Sequence, residues 1–193
     1  ALRRFADAVS FIEQPIARSA ALDRDIAALS VHRPVIVDES DNGFDIFPLA
    51  RDLGYAGISS KQCKGIYKSI INAARCTNWN AAGGAYFVSG EDLTCQAGLC
   101  VQQDLALVSL LGITHVERNG HHYGFGLSHL SAAEKEQALQ IHGDLYINRG
   151  NEAFLNIRGG QIECRSLQTA GFGVAFEPAW DQLVPLDDWG FTW

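Results

Sequence analysis

Short apolar runs that end abruptly in charged or polar residues recur along this chain. Val35-Ile36-Val37 follows Pro34 and closes in Asp38-Glu39-Ser40-Asp41-Asn42-Gly43, the pattern of a buried strand whose carboxyl end meets a loop. Before it, Ala8-Val9-Ser10-Phe11-Ile12 ends at Glu13-Gln14-Pro15. After it come Gly54-Tyr55-Ala56-Gly57-Ile58-Ser59-Ser60, ending at Lys61, then Ala85-Tyr86-Phe87-Val88, ending in Ser89-Gly90-Glu91-Asp92, and Ile113-Thr114-His115-Val116, ending at Glu117.

Helical patterns fill the intervals. Residues 20–29 are rich in alanine and leucine behind Ser19, a candidate N-cap, and a second helix within residues 44–53 is shortened by Pro48. Residues 64–74 place Ile66, Ile70, Ile71 and Ala74 on one face, which predicts the buried side of a third helix. Residues 98–111 read as the strongest helix, stopped by Gly112, and Ser131-Ala132-Ala133-Glu134 is a capping box opening a helix through His142. Beyond it the rhythm changes. Residues 154–164 alternate about Gly159-Gly160 as a hairpin would, and a glycine-rich Ala170-Gly171-Phe172-Gly173 leads to an aromatic tail.

The groups closing the five candidate strands, Glu13, Asp38, Lys61, Glu91 and Glu117, are spaced by 25, 23, 30 and 26 residues, the length of a βα unit. Successive βα units make a parallel sheet whose strands all end on one side, so these groups converge. A doubly wound sheet competes, but no glycine-rich phosphate loop follows the first strand. The spacing predicts an α/β fold: the C-terminal portion, about five βα units, of a (β/α)8 TIM-type barrel over residues 1–150, with residues 151–193 forming a C-terminal hairpin and tail as a separate packing element.

Composition narrows the classes. The chain has 193 residues, 47% of them hydrophobic, a net charge of -7 and a pI near 5.3, which argue for one buried domain and against nucleic acid or an anionic membrane surface as partner. No apolar run has the length of a membrane span. Five cysteines without a C-x-x-C pair suggest neither a disulfide framework nor a zinc site, and a cytoplasmic location is expected. The chain opens on Ala1 and contains no methionine, so it reads as an excised piece of a longer protein.

Phe11-Ile12-Glu13-Gln14-Pro15, Val37-Asp38-Glu39-Ser40 and the strand-end Lys61 together resemble the enolase superfamily, in its mandelate racemase and muconate lactonizing enzyme branch. The resemblance covers essentially the whole chain, and it implies that the hairpin and tail of residues 151–193 return to a capping domain. It implies Glu13 and Asp38 as ligands of a catalytic Mg²⁺, with Mn²⁺ an alternative, Glu39 as a further ligand or an orienting group, and Lys61 as general base, with Lys64 the other candidate for that amine. It implies an isomerase or lyase that removes the α-proton of a small carboxylate substrate through a metal-stabilised enediolate: a racemase, an acid-sugar dehydratase or a cycloisomerase.

The chemistry is consistent. A hard dication held by oxygen ligands suits the two developing oxyanions, and a lysine beside it acts as base near neutral pH. The substrate-contact candidates are Lys64, Glu91 and Asp92. Glu117, with an ion pair to Arg118 as its other reading, and His121 and His122 complete the catalytic candidates, while His32, His115, His129 and His142 are expected to be structural or exposed. A third metal ligand from a preceding strand, the missing N-terminal half that would carry it, and a homo-oligomeric state belong to the same expectation. The competing reading is a truncated or catalytically eroded barrel that binds a ligand or serves a structural role.

Overall fold

The computed structural model describes residues 7–90, 97–117 and 125–190. The chain divides into two compact units, Ala1–Leu93 with Leu107–Asn119, and Thr94–Ala106 with Gly120–Trp193.

The first unit is built on a four-stranded parallel sheet, β1 (Ile12–Glu13), β2 (Val35–Val37), β3 (Gly57–Ser59) and β4 (Phe87–Ser89), in sequential order and not closed. A parallel bridge between Gly90 and Val116 adds a fifth segment in the same direction. The order does not reverse as it would in a doubly wound sheet. Side chains alternate across the strands. Ile12, Val35, Val37, Ile58 and Val88 pack with Phe47, Ala50, Tyr55, Cys76 and Trp79 into the apolar core.

The other face is concave. Phe11 on the flank of β1 meets Phe87 on β4 with centroids 5.4 Å apart and His115, beside the fifth segment, at 4.9 Å. A flat sheet would hold the first and fifth strands about 19 Å apart, so the strands curl around these rings. Gly57 makes room for the curl: a Cβ there would lie 2.8 Å from both Ile36 Cγ2 and the Phe87 carbonyl oxygen.

The helices of this unit depart from expectation in two places. Residues 20–29 do not form the expected helix. Ala21 is fully buried and its carbonyl accepts from the Tyr55 hydroxyl at 2.9 Å, so the segment is held as turns and α1 is only Ala27–Ser30. The second helix, α2 (Ile46–Asp52), accommodates Pro48 in its first turn, where no intrahelical N–H is needed. The third, α3 (Ile66–Ala81), is longer than predicted and turned over. Its buried residues are Lys68, Ser69, Asn72 and Cys76, whereas Tyr67 is 80% exposed and Ile70 and Ile71 are exposed as well. The inward face covers the polar end of the sheet, where Ser60 Oγ donates to Ser69 Oγ at 2.8 Å and Lys68 reaches Asp41, so polar side chains rather than isoleucines find partners there.

Helix α4 (Leu99–Leu110) passes from one unit to the other. In the second unit, α5 (Ala132–Ile141) begins with the predicted capping box, Ser131 Oγ accepting from Glu134 N and the Glu134 carboxylate from Ser131 N at 2.9 Å. The hairpin lies earlier than predicted: β5 (Tyr146–Arg149) pairs antiparallel with β6 (Glu152–Leu155) about Gly150, whose φ is +70°. Tyr146, Ala153 and Leu155 are buried along it, whereas the Gly159-Gly160 turn keeps only one bridge, Arg158 to Gln161. His142, expected to be structural or exposed, is fully buried, with Nδ1 3.0 Å from Ser166 Oγ. No helix among the described residues is long and apolar enough to cross a membrane.

Candidate functional site

Three strand ends of the first unit meet at one carboxylate. Asp38 follows β2 and lies on the concave side of the sheet, as do Glu13 at the end of β1 and Ser59 at the end of β3. Its side chain is fully buried. Lys61 Nζ lies 2.9 Å from Asp38 Oδ2 and Lys64 Nζ 2.5 Å from Oδ1, while the Ser59 hydroxyl also donates to Oδ1. Lys64 further donates to Ser59 Oγ at 2.6 Å and to the Asp38 carbonyl at 2.8 Å. Both lysines are nearly buried, with 11% and 12% of their side chains exposed.

One oxygen each from Glu13, Asp38 and Glu39 falls within 4.8 Å of the others. This donor set of three carboxylates suits a hard dication such as Mg²⁺ or Mn²⁺ in charge and ligand type. Burial alone would raise the Asp38 pKa, but hydrogen bonds with Glu13, Lys64 and Ser59 and the charge of Lys64 outweigh it and hold the carboxyl well below the usual carboxylate range. Burial pushes the Lys64 ammonium down, with Asp38 and Asp41 partly offsetting it.

A second acid stands behind the first. Asp38 to Asp41 form a turn closed by Asp41 N donating to the Asp38 carbonyl at 2.9 Å. Asp41 Oδ2 lies 3.0 Å from Lys68 Nζ and 4.0 Å from Lys64 Nζ, and Lys68 also donates to the Asp41 carbonyl at 2.9 Å. Burial pushes the Asp41 carboxyl up despite these lysines. Charges therefore alternate along the site as Lys61, Asp38, Lys64, Asp41 and Lys68.

Gln14 fixes the loop that carries both acids. It sits at φ +33°, an uncommon conformation for a residue with a side chain, and its Oε1 accepts from Asp38 N at 2.8 Å and Ser40 N at 3.3 Å. Its Nε2 donates to Ser40 Oγ at 2.6 Å, and Ser40 Oγ passes the chain on to the Arg18 carbonyl at 3.0 Å.

Of the sequence candidates, Glu13, Asp38, Glu39, Lys61 and Lys64 are brought together. Lys64, expected to contact substrate, lies on Asp38 itself. Glu117 stands exposed beyond the fifth segment, its N–H donating to the Gly90 carbonyl at 2.7 Å. Glu91, Asp92, His121 and His122 lie outside the described residues. Gln14, Ser40, Asp41, Ser59 and Lys68 were not among the candidates. The signal for them lies within the same motifs, as the Gln beside Glu13, the Ser and Asp after Asp38, and a lysine spaced seven from Lys61.

Fold and site together define an α/β protein with a buried carboxylate–lysine centre at the carboxyl ends of a parallel sheet. Compared with protein-family models, curated proteins and solved structures, the chain finds no match.

Proposed function

We propose that this chain is the catalytic barrel portion of a Mg²⁺-dependent isomerase or lyase of the mandelate racemase and muconate lactonizing enzyme type, acting on a small carboxylate. The observation that carries the reading is the convergence of Glu13, Asp38 and Glu39 with Lys61 and Lys64 at one end of the sheet. The sequential strand order and the curl that brings Phe11 to His115 support a (β/α)8 barrel, completed in this reading by three further βα units and a capping domain. A cytoplasmic homo-oligomer belongs to the same proposal.

Glu13, Asp38 and Glu39 would hold the ion, which when bound supplies positive charge to the substrate carboxylate as its α-proton leaves. Lys61 or Lys64, having first given up its own proton to solvent, takes the α-proton as a neutral amine and becomes the ammonium. The two amines share one acid, so one can release Asp38 and face the substrate while the other keeps the carboxylate paired. Both amines are largely shielded from water.

The test, in the complete protein, is exchange of the α-proton in D₂O over a panel of 2-hydroxy and 2-amino carboxylates, followed by proton NMR. Mg²⁺-dependent exchange that falls at least about a hundredfold in Lys61→Ala or Lys64→Ala is expected. Equal exchange without the metal would sink the proposal. One observation favours a second reading, a ligand-binding or structural barrel: Lys61, Lys64 and Ser59 already satisfy both Asp38 oxygens. Retained carboxylate binding with no exchange across the panel would select it.

A further inference from the structure

We infer that Lys64 is a tethered cation that occupies the metal centre until the divalent ion arrives, and that Asp41 is the carboxylate that receives it. The inference rests on the proposed ion site at Glu13, Asp38 and Glu39.

Lys64 Nζ lies 2.5 Å from Asp38 Oδ1, an oxygen of one of the three acids that would hold the ion. A dication on Asp38 meets this ammonium on the same carboxylate, and two such charges repel strongly where solvent is excluded. Lys61 has a separate place on Oδ2. Lys64 has an alternative close by, since Asp41 Oδ2 is 4.0 Å from its Nζ. Closing that gap to an ordinary ammonium–carboxylate contact needs about 1 Å of movement by a flexible four-carbon stem.

Asp41 is built to receive a second cation. Its side chain is 1% exposed, Oδ2 is held by Lys68, and Oδ1 is buried with no hydrogen-bond partner. A buried carboxylate with one oxygen left without a donor is under-compensated, and a second ammonium at the same group offsets that cost. The turn closed by Asp41 N and the Asp38 carbonyl keeps the two acids at fixed separation, so the transfer needs no backbone rearrangement. The local charge also follows. Four carboxylates, Glu13, Asp38, Glu39 and Asp41, face three ammonium groups, and on loading the ion takes the Glu13 side while Lys64 moves to the Asp41 side.

Mn²⁺ binding to this chain, measured by titration calorimetry and by loss of the free-ion electron spin resonance signal, tests the inference with Lys64→Gln, Asp41→Asn and the double variant. Lys64→Gln is expected to bind Mn²⁺ about tenfold more tightly and Asp41→Asn about tenfold more weakly than wild type. In the Lys64→Gln background, Asp41→Asn should then change affinity by less than about twofold, because Asp41 acts through Lys64. Independent, additive effects would overturn the transfer and leave the ion site standing, provided that Asp38→Asn abolishes binding. Binding by Lys64→Gln where wild type has none would support it. No binding by either protein, or binding indifferent to Asp38→Asn, would overturn the ion site and the transfer with it. A crystal structure of the Mn²⁺-loaded wild type decides without any substitution: Lys64 Nζ within hydrogen-bond distance of the Asp41 carboxylate supports the inference, and Nζ still on Asp38 Oδ1 overturns it.

Discussion

Replacing Asp38 by asparagine changes one oxygen to an amide and leaves the volume almost untouched, so the effect is electrostatic. It strips the shared counter-ion from Lys61 and Lys64, both nearly buried. Removing one partner of a buried ion pair leaves a charge that neither water nor protein compensates, at a cost of about 3–5 kcal/mol. Asp41, 4.0 Å from Lys64, relieves part of this, which favours the lower half of the range. The pH dependence has a definite sign. The folded-state pKa of Asp38 is lowered, so its ionisation stabilises the protein fully above the unfolded value of about 4, and that contribution fades as pH falls from there toward the lower folded value. The variant should therefore be less stable than wild type by a constant margin from pH 5 to 8, and the margin should shrink below pH 4. Hydrogen exchange at the β2 and β3 amides reads this locally, without requiring the two units to unfold together. An Asp38→Asn protein with β2 and β3 protection equal to or above wild type at pH 7 would refute the reasoning, since the lysines would then not depend on this acid.

Two further outcomes are expected. Gln14→Ala removes the acceptor for two backbone N–H groups and the brace on Ser40, and should cost about 1–3 kcal/mol, read by the same exchange experiment as lost protection at Asp38 and Ser40. Burial pushes the Cys76 thiol up to about 11, so at pH 8 only about one molecule in a thousand carries its thiolate. Iodoacetamide followed by peptide mapping should label exposed Cys63 well before Cys76, and Cys76 should react only once the chain is unfolded in urea.

Val35-Ile36-Val37 was legible as a β-branched run bounded by turn residues and occupies the positions its pattern indicates, whereas Gly57–Ser59 was legible from the regular spacing of the units. Glu13, Asp38 and Lys61 were legible as strand-end groups because a parallel sheet leaves its strands' final residues on one side. Pattern failed where a tertiary partner decided. Residues 20–29 carry a helical composition, yet the Tyr55 hydroxyl takes the Ala21 carbonyl. Helix α3 has an apolar stripe at helical spacing, but buried acids and serines select the opposite face. The hairpin sits at Gly150 rather than Gly159-Gly160 because the buried residues Tyr146, Ala153 and Leu155 precede the glycine pair. Asp41 and Lys68 could not be read as a pair across a separation of 27 positions in sequence.

The alternation that points Asp38 at the lysines also constrains how the sheet assembles. A slip of β2 by a single residue would turn Asp38 into the apolar cluster of Phe47, Tyr55 and Ile58 and set Val37 against Lys61 and Lys64. Such a misaligned sheet would bury an anion among hydrocarbons and leave two ammonium groups stranded. The charged centre thus acts as a proofreading device for folding: the pairing that assembles the reactive groups is the one in which every one of these charges finds its partner.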